Sequence, residues 1–164
     1  SIKKKISDVL IQPGREFNDL METRLLLEPE VARLAAIHAS KESVEKLDSI
    51  LEEIQKDIEA GGVGAEFSIQ FHHQVIHSIE NEILASITSL VMELVENTTH
   101  MNLHIPGRAS VSLSEHRKIL EAIKNHDSER ANKYMKEHLE SVKKNLDEVI
   151  PTHSKVRVSR LMNG

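Results

Sequence analysis

The chain has 164 residues, a formal net charge of −5 and no cysteine. Without cysteine it has no disulfide, no thiolate nucleophile and no cysteine-based zinc site, and a reducing, cytoplasmic compartment is expected. No apolar run reaches the roughly 18 residues that span a membrane, and the dispersed basic residues of this acidic chain would make a poor surface for nucleic acid.

The first element along the chain is expected to be a connector over residues 1–15. Its Pro13 and Gly14 stop any helix, and a connector at the start suggests that another domain precedes it. A first helix is predicted over 17–39, where apolar residues recur at helical spacing. Pro29 lies inside that span and is expected either to kink the helix or to split it in two.

Five more helices are predicted, separated by short breaks. Ser40 is a candidate N-cap for the second helix and Asp127 for the sixth, while Ser112 and Glu115 match a capping box that opens the fifth. The predicted spans are 41–60, 65–79, 81–100, 112–125 and 128–149.

The fourth helix carries an apolar stripe at helical spacing, made of Ile83, Ile87, Leu90 and Leu94. Because the connections are short, the elements predict an all-α antiparallel bundle of about six helices over residues 16–150. Residues 151–164 are expected to form a flexible tail.

Three of the ten histidines are predicted to face the bundle interior, each from a different helix: His72, His116 and His138. They fall on the apolar stripes of their helices, whereas the others lie on polar faces, near helix ends or in loops. Three imidazoles that meet in one core would suit a divalent metal such as Zn²⁺. The alternative is three separate core histidines, each satisfied by a backbone carbonyl or a water molecule.

Arg24 lies between Leu20 and Leu27 on the apolar stripe of the first helix. A buried guanidinium is costly unless an anion pairs with it. Two interpretations remain open. Arg24 is either structural, through a pair with Glu28 or by extending to the surface, or it binds the carboxylate of a ligand.

Four segments, in this order, resemble the C-terminal domain of FadR, the effector-binding half of a subfamily of GntR transcription regulators. Residues 22–36 resemble the signature of that family's first helix. Residues 68–72, with Asn81 nine positions later, resemble its Asp-x-x-Phe-His…Asn segment. Residues 115–123 and 135–138 resemble its two later histidine segments.

The resemblance implies a metal site formed by His72, His116 and His138, with Arg24 and Asn81 binding a small carboxylate effector. Zn²⁺ is the first candidate, with Ni²⁺ or Mn²⁺ as alternatives. Ser68 occupies the position where the family has an aspartate. Three alternatives follow: the metal binds through three histidines with water or effector, it binds weakly, or the histidines hold an anion directly without metal.

The sequence therefore predicts an effector-sensing domain of a regulator rather than an enzyme. The resemblance also implies a homodimer, and DNA binding only through a winged helix-turn-helix domain that is not in this chain. Two other functions remain as alternatives. A metal-dependent hydrolase is disfavoured because no inward general base is evident near the three histidines, where Ser68 occupies the place of a carboxylate. A ligand-free helical interaction or dimerisation module would bind neither metal nor acid.

Overall fold

The computed structural model describes residues 15–150, and this part of the chain is all-α, as predicted. The predicted connector and tail lie outside the described residues, except for Arg15. Six helices follow one another with short connections: α1 Arg15–His38, α2 Lys41–Glu59, α3 Ala65–His77, α4 Glu82–Leu103, α5 Arg108–Lys124 and α6 Ser128–Val149. None of these helices is long and apolar enough to cross a membrane.

The helices pack around one core to which all six contribute. The most extensive helix–helix contact is between α1 and α6. Small residues on both helices, Ala32 and Ala35 of α1 and Ala131 of α6, are fully buried and allow a close approach. The predicted caps are confirmed at two places, since the side chains of Ser40 and Asp127 accept hydrogen bonds from the backbone N–H groups of Ser43 and Arg130.

Helix α1 is not split at Pro29, so that alternative was wrong. Proline removes one backbone hydrogen bond, but packing on both sides of it keeps the helix continuous. Met21 before Pro29 and Val31 after it are both buried in the core. The single helix carries Arg24 and Glu28 on one face, one turn apart.

Helix α5 begins at Arg108, four residues before the predicted capping box. Gly107 precedes it with φ of 78°, a left-handed conformation that glycine adopts without strain. Ser112 is therefore inside the helix and buried, and Glu115 binds other side chains instead of capping a helix end. The predicted capping box was wrong because the helix begins four residues earlier, so that neither residue lies at its N-terminal end.

The apolar stripe of α4 is not its buried face. Ile83 is 76% exposed and Ile87 50% exposed. The buried face of α4 is formed on the opposite side by Thr88, Met92, Val95, Asn102 and Leu103. This side packs against α3 and α1, and α4 leaves its more apolar side uncovered.

Candidate metal and effector site

The three predicted histidines meet in the centre of the bundle. His72 on α3, His116 on α5 and His138 on α6 are each at most 4% exposed. Each offers a ring nitrogen that lies within 4.8 Å of those of the other two. The Nε2 atoms of His72 and His116 are 3.2 Å apart. The sequence-based placement of these side chains is confirmed.

His72 is held from its outer side by a carboxylate that the sequence analysis did not assign to the site. Its Nδ1 lies 2.8 Å from Oε2 of Glu28 on α1. Glu28 in turn accepts hydrogen bonds from Arg24, with Nε at 2.5 Å from Oε1 and Nη2 at 3.2 Å from Oε2. Arg24 and Glu28 are both 2% exposed. The structural pair considered for Arg24 is therefore present.

His138 is held in the same way by a second carboxylate. Its Nδ1 lies 2.5 Å from Oε2 of Glu115 on α5. Glu115 also accepts two hydrogen bonds from Arg108, from Nη1 at 3.1 Å and from Nη2 at 2.6 Å. Two Arg–Glu–His hydrogen-bond networks therefore meet at the same centre: Arg24–Glu28–His72 and Arg108–Glu115–His138.

His116 has no such carboxylate. It is fully buried, and its ring stacks on Phe71 with the centroids 4.5 Å apart. Its Nδ1 has no hydrogen-bond partner within the described part of the chain.

Burial and charge pairing set the protonation of the site. Burial alone would raise the pKa of Glu28, but the Arg24 charge and His72 hold it well below its usual value. Burial also opposes ionisation of Glu115, yet hydrogen bonds from His138 and Arg108 lower its pKa to about 2. Burial lowers the pKa of His138 to about 4 and that of His116 well below its ordinary value. Near pH 7 the two carboxylates are charged and these two histidines are neutral, the form that binds a metal ion.

A small cavity of about 10 Å³ lies beside the histidines. That volume is roughly the room of one water molecule. Its walls come from five helices, and polar side chains dominate the lining: Arg24, Ser68, His72, Thr99, Asn102, Ser112 and His138. Oδ1 of Asn102 is buried and has no hydrogen-bond partner among the described residues. Two larger clefts lie on the surface, and neither is lined by His72, His116 or His138.

Asn81 is exposed and accepts a hydrogen bond from the backbone N–H of Leu84 as the N-cap of α4, so it does not line this cavity. Two carboxylates do lie near the histidines where the sequence indicated no general base, since Glu28 contacts His72 and Glu115 contacts His138. Both carboxylates are already bound by an arginine and a histidine, which leaves neither as a free general base. The signal for Glu28 was its spacing from Arg24, one helical turn away.

The fold and the buried cluster define an all-α bundle with a polar histidine centre, and comparisons with known proteins identify its family. The FCD domain profile matches residues 19–141. The Uxu operon transcriptional regulator of Escherichia coli K12 is 28% identical over 135 residues, covering 78% of this chain and 52% of that protein. The galactonate operon transcriptional repressor of the same organism is 25% identical over 119 residues, covering 71% and 52%.

A solved structure agrees with these relatives. The chain is similar to a Streptococcus agalactiae GntR protein with a TM-score of 0.72 and 25% sequence identity, covering 85% of this chain and 64% of that one. The chain belongs to the FCD family, as an FCD domain of the kind found in GntR-type transcription regulators. Its named relatives are regulators and not enzymes. The chain spans about half the length of the curated relatives it matches.

Proposed function

We propose that this domain senses a small organic acid through a divalent metal ion held by His72, His116 and His138. The observation that carries the proposal is the convergence of three buried histidine rings from three helices, two of them backed by carboxylates. Zn²⁺ is the first candidate, and Ni²⁺ and Mn²⁺ are the alternatives. When bound, the ion supplies the positive charge that anchors a carboxylate oxygen.

The charges of the site explain why metal and acid belong together. The positive charges of Arg24 and Arg108 are already balanced by Glu28 and Glu115. An acid that entered without a metal would bring an uncompensated negative charge into a buried site, which is costly. Arg24 donates to Glu28 through Nε and Nη2, so its Nη1 is the group proposed to face the acid. Ser68, at the aspartate position of the family, adds no charge of its own.

The polar lining of the cavity favours an acid that also carries hydroxyl groups. Asn102 is 2% exposed and its Oδ1 has no donor within the described residues. A ligand hydroxyl would satisfy this acceptor, and the hydroxyls of Ser68 and Ser112 line the same cavity. One relative is named for galactonate, an acid of this chemistry. We expect gluconate to bind more tightly than hexanoate, and Asn102→Leu to remove that preference; equal binding of both acids by the wild type would contradict this.

Effector binding must move the helices, because a cavity of about 10 Å³ is too small for an organic acid. Helix α4 supplies Thr99, Asn102 and Leu103 to one wall and contacts α5 and α6 only weakly. Its opposite side carries the exposed apolar residues Ile83 and Ile87. We propose that the effector shifts α4 and so the geometry of the whole regulator.

The parent regulator is proposed to act in the cytoplasm as a homodimer that binds DNA through a separate domain. The apolar side of α4 is the proposed contact between two copies of this domain. Its residues follow alternating spacings of four and three, as in the seam of a helix pair: Ile83, Ile87, Leu90, Leu94 and, one heptad further, Met101. A stripe of this kind on both copies suits a twofold symmetric interface.

Metal content of the purified protein tests the proposal. Mass spectrometry after incubation with Zn²⁺ and a gentle wash should find close to one ion per chain. His116→Ala should lose it, while His77→Ala, which changes an exposed histidine of α3, should retain it. Failure of the wild type to retain any divalent ion contradicts the metal site. Acid binding by that metal-free protein, measured by thermal shift, would instead indicate a direct anion pocket.

A further inference from the structure

We infer that Glu28 and Glu115 are positioning residues of the histidine centre, each fixing which nitrogen of its histidine faces the metal. The inference rests on the proposed metal site and extends it to residues that would not touch the ion. Each carboxylate binds Nδ1 of one histidine, at 2.8 Å for His72 and 2.5 Å for His138. The Nε2 atoms are the nitrogens left for the centre.

For neutral imidazole rings, the form that binds a metal ion, the hydrogen-bonding capacities of the two Arg–Glu–His networks leave only one arrangement. Arginine only donates, and an ionised carboxylate only accepts. Glu28 therefore accepts from both Arg24 and His72, and the histidine must carry its proton on Nδ1. Its Nε2 then has a free lone pair, which is what a metal ligand requires. The same argument applies to Glu115, which accepts from Arg108 and His138.

His116 must behave differently from the other two histidines. Its Nε2 lies 3.2 Å from Nε2 of His72, and one of these two atoms has to donate. When the His72 ring is neutral, its proton lies on Nδ1 beside Glu28, and the donor between the two rings is Nε2 of His116. Its Nδ1 has no partner among the described residues to hold the other tautomer. Metal loading therefore has to displace this hydrogen bond and move the proton of His116 from Nε2 to Nδ1.

Substitution of Glu28 by glutamine should reverse the tautomer of His72. Nε of Arg24 donates to Oε1 and Nδ1 of His72 to Oε2, so the glutamine carbonyl oxygen would take the place of Oε1 and its NH₂ group would face the histidine as a donor. Nδ1 would then have to accept, so the proton would lie on Nε2 and block the lone pair. The side chain keeps nearly the same shape but loses its charge.

Glu115 requires a different substitution, because its Oε2 accepts from both Nη2 of Arg108 and Nδ1 of His138. A glutamine would keep its carbonyl oxygen at this place and hold the same tautomer. Glu115→Leu removes the acceptor and leaves the Nδ1 proton of His138 without this partner.

The experiment measures tautomers and metal affinity in the same variants. Nitrogen-15 NMR of the metal-free protein should show His72 and His138 protonated on Nδ1 and His116 on Nε2. Glu28→Gln should move the proton of His72 to Nε2, and Glu115→Leu, which removes the acceptor of the Nδ1 proton, should raise the population of the Nε2 tautomer of His138. Competition with a chelator should show Zn²⁺ affinity lowered by about 10- to 100-fold in each variant. Glu137→Gln, beside His138 on the exposed side of α6, is the matched control for lost charge and should match the wild type.

The outcomes separate this inference from the proposed function. Zn²⁺ binding by the wild type with unchanged tautomers and affinity in both variants would overturn the positioning role and leave the metal site intact. Absence of Zn²⁺ binding by the wild type would overturn both. Glu28 is fully enclosed, so its variant could fail to fold; Glu115→Leu then decides the question, because that side chain is 20% exposed. A lower affinity with an unchanged tautomer would indicate a merely structural role and would also contradict the inference.

Discussion

Glu28 on α1 and His72 on α3 are 44 positions apart in sequence, and their side chains meet at 2.8 Å with neither more than 4% exposed. The contact ties the first helix to the histidine cluster and occupies the outer nitrogen of the ring. It also places the Arg24–Glu28 pair beside the cavity. The stability of the bundle and the chemistry of its centre therefore depend on the same side chains.

Removal of the Glu28 charge should destabilise the fold much more than removal of a matched surface charge. Glu28→Gln leaves the buried Arg24 without its ionic partner, which costs roughly 3–5 kcal/mol. The melting temperature should fall on the order of 10 °C. Glu30→Gln breaks the Arg33–Glu30 pair on the same helix, where both side chains are more than one-third exposed. This variant should change the melting temperature little. Equal shifts in the two variants would contradict the buried pair as a stabilising element.

Ser68→Asp should strengthen metal binding. Ser68 is buried in the cavity wall beside His72 and His138, so an aspartate there would add an anionic oxygen ligand. The Zn²⁺ affinity measured by chelator competition should rise at least about tenfold, equivalent to about 1.4 kcal/mol. Ser114→Asp, an exposed change on α5, is the control for added charge. An affinity that stays at the wild-type value would show that position 68 does not reach the ion.

The metal-free protein should lose stability as the pH falls below 6.5. The folded pKa of His138, about 4, and that of His116 both lie below the ordinary value of 6.5, because burial disfavours the charged ring. Between these values the unfolded chain binds more protons, so stability decreases with falling pH by about 1.4 kcal/mol per pH unit for each such histidine. Urea unfolding with a chelator present, at pH 7, 6 and 5, measures this slope.

A variant isolates the contribution of one ring to that slope. His116→Phe should reduce the slope of the unfolding free energy against pH by the contribution of about one proton. His77→Gln changes an exposed residue and should leave the slope as in the wild type. A slope that is the same in all three proteins would contradict the neutral buried state of His116.

A second loss of stability is expected at lower pH, since Glu115 has a pKa of about 2 in the folded state against 4.5 when unperturbed. Its contribution is present above pH 4.5 and is lost as the pH falls towards 2.

A charge on the exposed stripe of α4 should dissociate the proposed dimer. Ile87→Glu places a carboxylate in the middle of the stripe, where burial against a second copy would leave it unpaired. Sedimentation should show the dimer dissociation constant raised by at least about tenfold, or about 1.4 kcal/mol. Val111→Glu is the control, because Val111 is also 50% exposed but lies on α5. If Val111→Glu dissociates the dimer and Ile87→Glu does not, the contact surface lies elsewhere.

The sequence by itself determined the helices and the direction of the three histidines. Helical spacing places residues three and four apart on one face, so His72, His116 and His138 had to follow the apolar neighbours of their own helices into the core. The same local logic predicted the caps at Ser40 and Asp127, which depend only on a side chain and the backbone three residues later.

Only the tertiary structure decided which side chains meet across helices. Nothing in local spacing pairs Glu28 with His72, or directs Glu115 to His138 instead of to a helix cap. The α4 stripe shows the same limit, because an apolar face becomes buried only if a neighbouring helix covers it. In this fold α3 and α1 cover the other face, and Ile83 and Ile87 stay exposed. The periodicity of apolar residues identifies the faces of a helix, and tertiary packing decides which face is buried.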